Sequence, residues 1–536
     1  MNRKRWNAVL AMLLVGILVI LAGCQPVSGV DLTQIISKSF TVKSGESRQT
    51  VMLELTKDPS VQLTQEEQAM FELFGKVKLN VTEAKAQDPL HVSMKGTLEY
   101  SKGSIPFELV SADRVFTIKI EGAKKPIVIR STPAAMNPAG MPQVSEALQA
   151  QMEQLGKKAV EAAPKLGTFF SKNLPNPNVL TVSPVTESVY GESLSLQKIH
   201  AEIYGSDLLA LVKGFLTSVL ADEQGLKDFI GVVYDLYVPM MQQAMKDSGA
   251  AAGDNPMADS MAPYLQNKTL AVEFAFAYLK TSLQKLLTNF DTDAAAFLAS
   301  EQGADLKELL SDRLALKLDF FVDKDQFIRK SVTEFSLTLP SGKGNGLQGV
   351  KVTSTKEAWN VNKPVAIAAI DTSAGVYDLN GENGRPSAGR FLAGLDPNSQ
   401  LYKLLKNDLH ITKKQIVMHM DGPSIDDIMY GVSTKPYNDN GTVMVPVRFV
   451  TEQLDSDVSW DAASRQVTIV DPLSGSKLLL KIGSSDASVN GKTVSLEKPA
   501  ALVDGTTYVP VRFVTESFGA KVQWDQEQQT VTISRD

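Results

Sequence analysis

Gly441 to Val470 reads GTVMVPVRFVTEQLDSDVSWDAASRQVTIV, and Gly505 to Ser534 reads GTTYVPVRFVTESFGAKVQWDQEQQTVTIS. Sixteen of the thirty positions are identical at a constant offset of 64 residues, so this part of the chain is a duplicated unit. Each copy predicts a strand, Thr442–Val445 or Thr506–Val509, followed by a proline in the first helical turn, where its missing N–H costs nothing. Val447, Val450 and Leu454, like Val511, Val514 and Phe518, then form one apolar stripe. Gly519 suits the left-handed residue that ends the second helix. Val458 with Trp460 and Val467 with Ile469 alternate as a hairpin that turns at Asp461, and Val522, Trp524, Val531 and Ile533 repeat it. The second copy is preceded by strands at Leu478–Ile482 and Ala487–Leu496, turning at Asn490-Gly491.

These residues closely resemble the copper amine oxidase N-terminal-like domain, also called a stalk domain in exported proteins of Gram-positive bacteria. The pattern is carried by Asn490-Gly491-Lys492, Val509-Pro510-Val511-Arg512, Glu516, Gly519-Ala520, Val522, Trp524-Asp525 and Val531-Thr532-Ile533. The first copy departs where Asp455-Ser456-Asp457 replaces the Gly-Ala ending, and its upstream strands, Ile416 to Met420 and near Tyr430, are less regular. The resemblance covers residues 410–536. It implies a small α+β module without oxidase chemistry. That chemistry requires three metal-binding histidines and a quinone-forming tyrosine within Asn-Tyr-Asp or Asn-Tyr-Glu. Only His410 and His419 lie near the module, and neither tripeptide occurs.

Upstream of the repeats, residues 371–409 are rich in Gly, Asn, Pro and Ser and predict a linker. Residues 48–370 predict a large α+β domain: strands alternating along Lys76–Val81, His91–Tyr100, Phe107–Val110, Val115–Ile120 and Ile127–Ile129, then helical periodicity from about Pro142 to Lys172. A strand at Leu194–Tyr204 follows, with Ser206-Asp207 as a cap for a helix through Leu208 and Phe215. Further helices are expected at Leu226–Met245, Thr269–Leu287 and Ala294–Leu310. Strands then return at Leu314–Val322, Phe327–Leu339, Val350–Ser354 and Val365–Ile367. The order strands, helices, strands implies an antiparallel curved sheet with helices packed on one face. Behind a lipobox, this layout loosely resembles LolA/LppX-type lipoprotein domains, which implies a carrier of an acyl chain or other hydrophobic ligand.

The lipobox lies at the N-terminus. Arg3, Lys4 and Arg5 precede an apolar run from Ala8 to Leu21, and Leu21-Ala22-Gly23-Cys24 follows. The run is shorter than the ~20 residues of a spanning helix, so it reads as a signal peptide over residues 1–23. The ending resembles the lipobox of bacterial lipoproteins. That resemblance implies cleavage before Cys24, lipidation of its sulfur, and a tether over residues 24–47 at the outer face of the cell membrane. Loss of three cations would take the formal charge from −6 to −9.

Composition narrows the rest. With one cysteine there is no disulfide framework or Cys-based zinc cluster, and the four histidines, His91, His200, His410 and His419, leave little for His-dependent chemistry. A net charge of −6 without a basic stripe argues against nucleic acid. No nucleophile-elbow, Walker A or His-Glu-x-x-His motif occurs. A non-enzymatic protein without metal or cofactor is expected, with a surface or cell-wall interaction role; the alternative is a carrier of a hydrophobic ligand or lipid in the large domain. Within the repeats, Arg448 and Arg512 precede Glu452 and Glu516 by one helical turn and read as exposed i,i+4 pairs or ligand contacts. Trp460 and Trp524 read as sugar platforms or, by their alternation, as core. Asp455, Asp457 and Asp461 lack calcium-loop spacing. Met240, Met241, Met245, Met257 and Met261 favour loose helix packing over Cu(I) ligation.

Overall fold

The computed structural model describes residues 30–130, 146–247, 262–301, 303–380, 386–420 and 435–535. The signal segment, Cys24, Met257, Met261 and Tyr430 lie outside them. The fold is α+β, and the chain divides into a large unit of residues 1–116 with 130–370 and a smaller one of residues 117–129 with 371–536.

The large unit begins with α1 (Leu32–Ser39), capped by the Asp31 carboxylate on the Gln34 N–H, and β1 (Gly45–Lys57). The segment expected to be a tether is therefore folded from Val30 onward. Leu32 and Ile35, one helical turn apart, pack on Ile199 and Val322. Next come α2 (Gln65–Phe74), with a Thr64/Glu67 capping box, β2 (Lys76–Asp88), β3 (His91–Tyr100) and β4 (Gly103–Ala112), while β5 (Val115–Ile120) and β6 (Ile127–Arg130) fall mostly in the smaller unit. α3 (Glu146–Asn173) leads to the hairpin β7 (Val179–Val189) and β8 (Glu192–Tyr204). α4 (Leu208–Ala221), α5 (Glu223–Asp247), α6 (Lys268–Ala299) and α7 (Ala304–Leu309) precede β9 (Leu314–Val322), β10 (Ile328–Thr338) and β11 (Leu347–Trp359).

Within this unit the sheet order is β4-β3-β2-β1-β11-β10-β9-β8-β7, and every pair is antiparallel. β1 closes on β11 from Glu46 opposite Trp359 to Lys57 opposite Leu347, so the two chain ends of the unit meet in mid-sheet.

Several local expectations change. The separate helices expected at 269–287 and 294–310 join into the 32-residue α6, followed by α7. Asp207 does not cap α4. Its carboxylate accepts the Tyr204 N–H at 2.9 Å, and Ser206 donates to Asp312 at 2.5 Å, so both side chains are spent on a 3₁₀ turn over Gly205–Asp207. Val365–Ile367 forms no strand.

In the smaller unit the described residues of the expected linker, 371–380 and 386–409, include short regular elements. β12 (Tyr377–Asp378) runs parallel to β6, and Lys124 N–H donates to Gly394 O while Asp396 N–H donates to Gly122 O. α8 (Ala388–Ala393) and α9 (Gln400–Lys403) bury Leu392, Leu395, Leu401 and Leu404. Gly, Pro and Ser supply turns and caps here: Ser387 and Ser399 each cap a helix.

The repeats contain β13 (Lys414–His419), β14 (Tyr437–Asp439), β15 (Thr442–Pro446), α10 (Val447–Gln453), β16 (Asp457–Asp461) and β17 (Gln466–Val470). β18 (Lys477–Lys481), β19 (Asp486–Val489), β20 (Lys492–Ser495), β21 (Ala501–Val503), β22 (Thr506–Pro510), α11 (Val511–Ser517), β23 (Lys521–Asp525) and β24 (Thr530–Arg535) complete them. β15 pairs with β22 antiparallel, with Val445 opposite Val509, Met444 opposite Pro510 and Pro446 opposite Tyr508. Val445 and Val509 are repeat counterparts, so the two copies are related by a local two-fold through this pair. β13 flanks β24 as β18 flanks β17, and one core cluster includes residues of both copies. Neither repeat has a complete core alone.

Candidate functional site

Side chains alternate across a strand, so the register sorts the large sheet into two faces. One face carries Val51, Leu53 and Leu55 of β1, opposed by Leu79 and Val77 of β2 and by Val352 and Val350 of β11. It continues through Leu98 and Met94 of β3 to Ile105, Phe107 and Leu109 of β4, and on the other side through Phe335 and Leu337 to Leu314, Leu316 and Leu318. Over β8, β9 and β10 this face is buried beneath Leu208, Leu211 and Leu309. Over β1 to β4 and β11, Leu53, Leu55, Val77, Leu79, Met94, Leu98, Phe107, Leu109, Val350 and Val352 are only half-buried. On the same face Val81 and Ile105 are buried and Val352 packs against the cluster of β8 to β10, so the apolar surface there is partly covered.

The opposite face is charged and paired. Lys76 meets Glu54 at 3.0 Å, Lys78 meets Glu99 at 3.3 Å, Lys351 meets Glu334 at 2.9 Å and Arg48 meets Glu357 at 2.9 Å. Lys330 bonds Glu187 at 2.8 Å, which holds that carboxyl below its usual range. His200 lies between Asp319 (Nδ1, 2.7 Å) and Glu202 (Nε2, 3.2 Å). Tyr204 donates to Glu202, which lowers the carboxyl and raises the phenol. Among the described hydrogen bonds His200 makes none to a serine or threonine.

An open cleft of about 880 Å³ lies between α3, α5 and α6 over Phe169, Phe229 and Val272. Its rim is neutralised by Lys172–Asp222 at 2.9 Å, Lys227–Glu273 at 2.7 Å and Lys268–Asp235 at 2.5 Å. Burial pushes Asp222 up, but the bonds from Lys172, Asn173 and the Gly225 N–H outweigh it and leave the carboxyl lowered. Met240, Met241 and Met245 belong to α5 with Met241 exposed, and among the described residues no group of His, Cys, Asp and Glu forms a metal-binding set. No described helix is long and apolar enough to cross a membrane.

In the repeats, Arg448 meets Glu452 at 3.2 Å as the spacing predicts, but Arg512 instead meets Glu497 at 3.1 Å. Asp455 adopts φ 66°, the left-handed position that Gly519 takes at φ 65° in the other copy. Its buried carboxylate accepts the Gly389 N–H at 3.2 Å and faces Lys414 at 3.5 Å, while Asp457 pairs with Arg390. Asp461 accepts from Ala463 N–H at 3.0 Å and Ser464 Oγ at 2.6 Å; the Ser464 hydroxyl above all holds its carboxyl low. These three acids are therefore turn and docking groups.

The tryptophans depart from the core expectation. Both point to the core side of their hairpins, opposite Val467 and Val531, yet Trp460 remains 41% exposed and Trp524 43% exposed. Each stands at the turn end of a strand that, among the described residues, is the edge of its sheet. Alternation in sequence gives the side of the sheet but not the distance from its rim.

Residues 424–533 match the family model of the copper amine oxidase N-terminal domain. The match covers both copies and their local two-fold, and it concerns a domain outside the oxidase's catalytic part.

Proposed function

We propose that this is an exported, lipid-anchored, non-catalytic binding protein whose large unit holds an apolar ligand of the acyl-chain kind. The reading is supported by the stretch of apolar sheet surface that stays half-buried, Leu53, Leu79, Leu98 and Phe107 among its residues, set against an opposite face rich in ion pairs. A contiguous apolar stretch of this kind suits an apolar occupant. Cys24, if lipidated, stands six residues before Val30, ~20 Å of chain at full extension, which keeps the unit within reach of the bilayer. The smaller unit serves as a surface-interaction module or spacer, directed at the cell-wall polymer.

The test uses the full mature chain and cis-parinaric acid, whose fluorescence rises in an apolar site. Saturable binding is expected, weakened strongly in the Leu53→Glu/Leu79→Glu variant. No saturable enhancement, or binding unchanged in that variant, refutes the ligand role. Metabolic labelling with a fatty acid tests the anchor: Cys24→Ser should abolish incorporation.

A further inference from the structure

The hairpins of the two repeats have drifted apart at their exposed positions. Ser459 stands where the other copy has Gln523, Ala462 where it has Gln526, Ala463 where it has Glu527, and Ser464 where it has Gln528. Three positions of the hairpin's first strand and turn stay the same, and two have a structural reason. Val458 and Val522 pack on the common core, and Asp461 and Asp525 nucleate the turns, Asp525 accepting the Glu527 and Gln528 N–H groups at 2.9 Å. The third is tryptophan, kept in both copies with about two-fifths of its surface in water. Packing does not require so large a ring at a strand edge, where a smaller apolar residue would cover Val467 or Val531.

We propose that Trp460 and Trp524 are two equivalent stacking platforms for the pyranose rings of a polysaccharide. This rests on reading the smaller unit as an interaction module, and not on the apolar-ligand role of the large unit. The chemistry of the border selects the class of ligand. The Trp524 Nε1–H is already spent on Gln526 Oε1 at 2.9 Å, so that ring offers its face and no donor. Gln526 stands beside Trp524, and the turns that follow the two rings carry Ser464, Gln528 and the acids Asp461, Asp525 and Glu527. A pyranose matches this: its C–H face stacks on an aromatic ring while its hydroxyl rim bonds neutral and acidic side chains. A nucleic acid would be repelled by the acids, and a bilayer would need a broader apolar patch than one ring. Because the rings are repeat counterparts, each copy offers the same contact.

The experiment titrates the full mature chain with chitohexaose and with cellohexaose and follows indole fluorescence and heat. Saturable binding of at least one is expected, with the number of sites halved by Trp460→Ala or Trp524→Ala and binding lost in the double variant. Should the double alanine variant unfold, Trp460→Phe/Trp524→Phe decides. It keeps an aromatic face, so it should retain binding of the hexasaccharide at an unchanged melting temperature. The proposal is overturned if neither sugar binds the folded chain, if binding survives loss of both rings, or if the substitutions abolish binding to phosphatidylglycerol vesicles instead. Sedimentation with isolated cell wall separates the two levels. Wall binding that persists without the rings refutes the platforms alone, and no wall binding by the unaltered chain refutes the module reading as well.

Discussion

Replacing Arg535 with methionine should unfold the smaller unit well below the temperature at which the unaltered chain unfolds. Arg535 donates from Nη2 to Asp471 at 2.5 Å and from Nη1 to the Leu454 carbonyl at 2.9 Å, closing the end of α10. The Asp471 side chain is fully buried and that of Arg535 is 11% exposed, so solvent screens the pair little. Removing one partner of a buried pair costs about 3–5 kcal/mol, because the remaining charge stays out of water. Asp471 would keep the Leu473 N–H at 3.2 Å and the Ser474 hydroxyl at 2.6 Å, which places the cost near the lower end, ~3 kcal/mol. For a unit of this size each kcal/mol corresponds to roughly 2–4 °C, so the midpoint should fall by about 6–12 °C. Urea or thermal unfolding followed by tryptophan emission reports it, since Trp460 and Trp524 lie in this unit and Trp359 in the other. The double variant Asp471→Leu/Arg535→Met should recover at least half of the loss, because it buries no charge. A single-variant loss under about 1 kcal/mol, or a double variant no better than the sum of its parts, would refute this reasoning.

Asp58 is buried and holds the Gly342 N–H at 2.6 Å, then Ser60 and Ser341, which takes its carboxyl from the usual 3.8 down to about 2. A depressed carboxylate contributes stability that is full above its unfolded value and lost as pH falls through the folded one. The large unit should therefore weaken between about pH 4 and pH 2, and Asp58→Asn should flatten that part of its stability profile in acid titration. Gly519→Ala should destabilise the smaller unit by about 1 kcal/mol in urea, since φ 65° disfavours a Cβ even though nothing lies within 4 Å of it. Asp455→Gly, at the same backbone angle, should also destabilise it despite relieving the backbone, because the Gly389 N–H loses its acceptor.

The strands of the large unit were legible because their apolar residues keep a strict period of two: Val77-Leu79-Val81 and Leu314-Leu316-Leu318 announce both a strand and its buried side. The return of β11 to β1 was not legible, since a pairing across some three hundred residues leaves no local trace. Composition misled over residues 371–409. Gly, Ser and Asn there serve as caps and turns around four buried leucines, a role that looks like a linker when the partner segment at residues 117–129 is distant in sequence. At the candidate sites, the Arg448–Glu452 pair follows from helical spacing. The Arg512–Glu497 pair crosses fifteen residues of loop and strand and does not.

The duplication turns differences between the copies into information. Asp471 and Arg535 are counterparts 64 residues apart, and they touch each other. In a symmetric pair of identical modules that position would bring two like charges together, and fusing the copies into one chain lets one become an acid and the other a base. Asp455 and Asp457 stand where the second copy has Gly519 and Lys521, and they are the residues that hold Gly389 and Arg390. Arg512 leaves its helical partner for Glu497, whose counterpart position in the first copy is Ser433. In each case the copies diverge where one of them meets a group that the other lacks. The converse then bears on Trp460 and Trp524. An exposed residue that stays the same while the hairpin around it diverges is the observation on which the proposed stacking contact rests, and loss of oligosaccharide binding in the ring variants is its test.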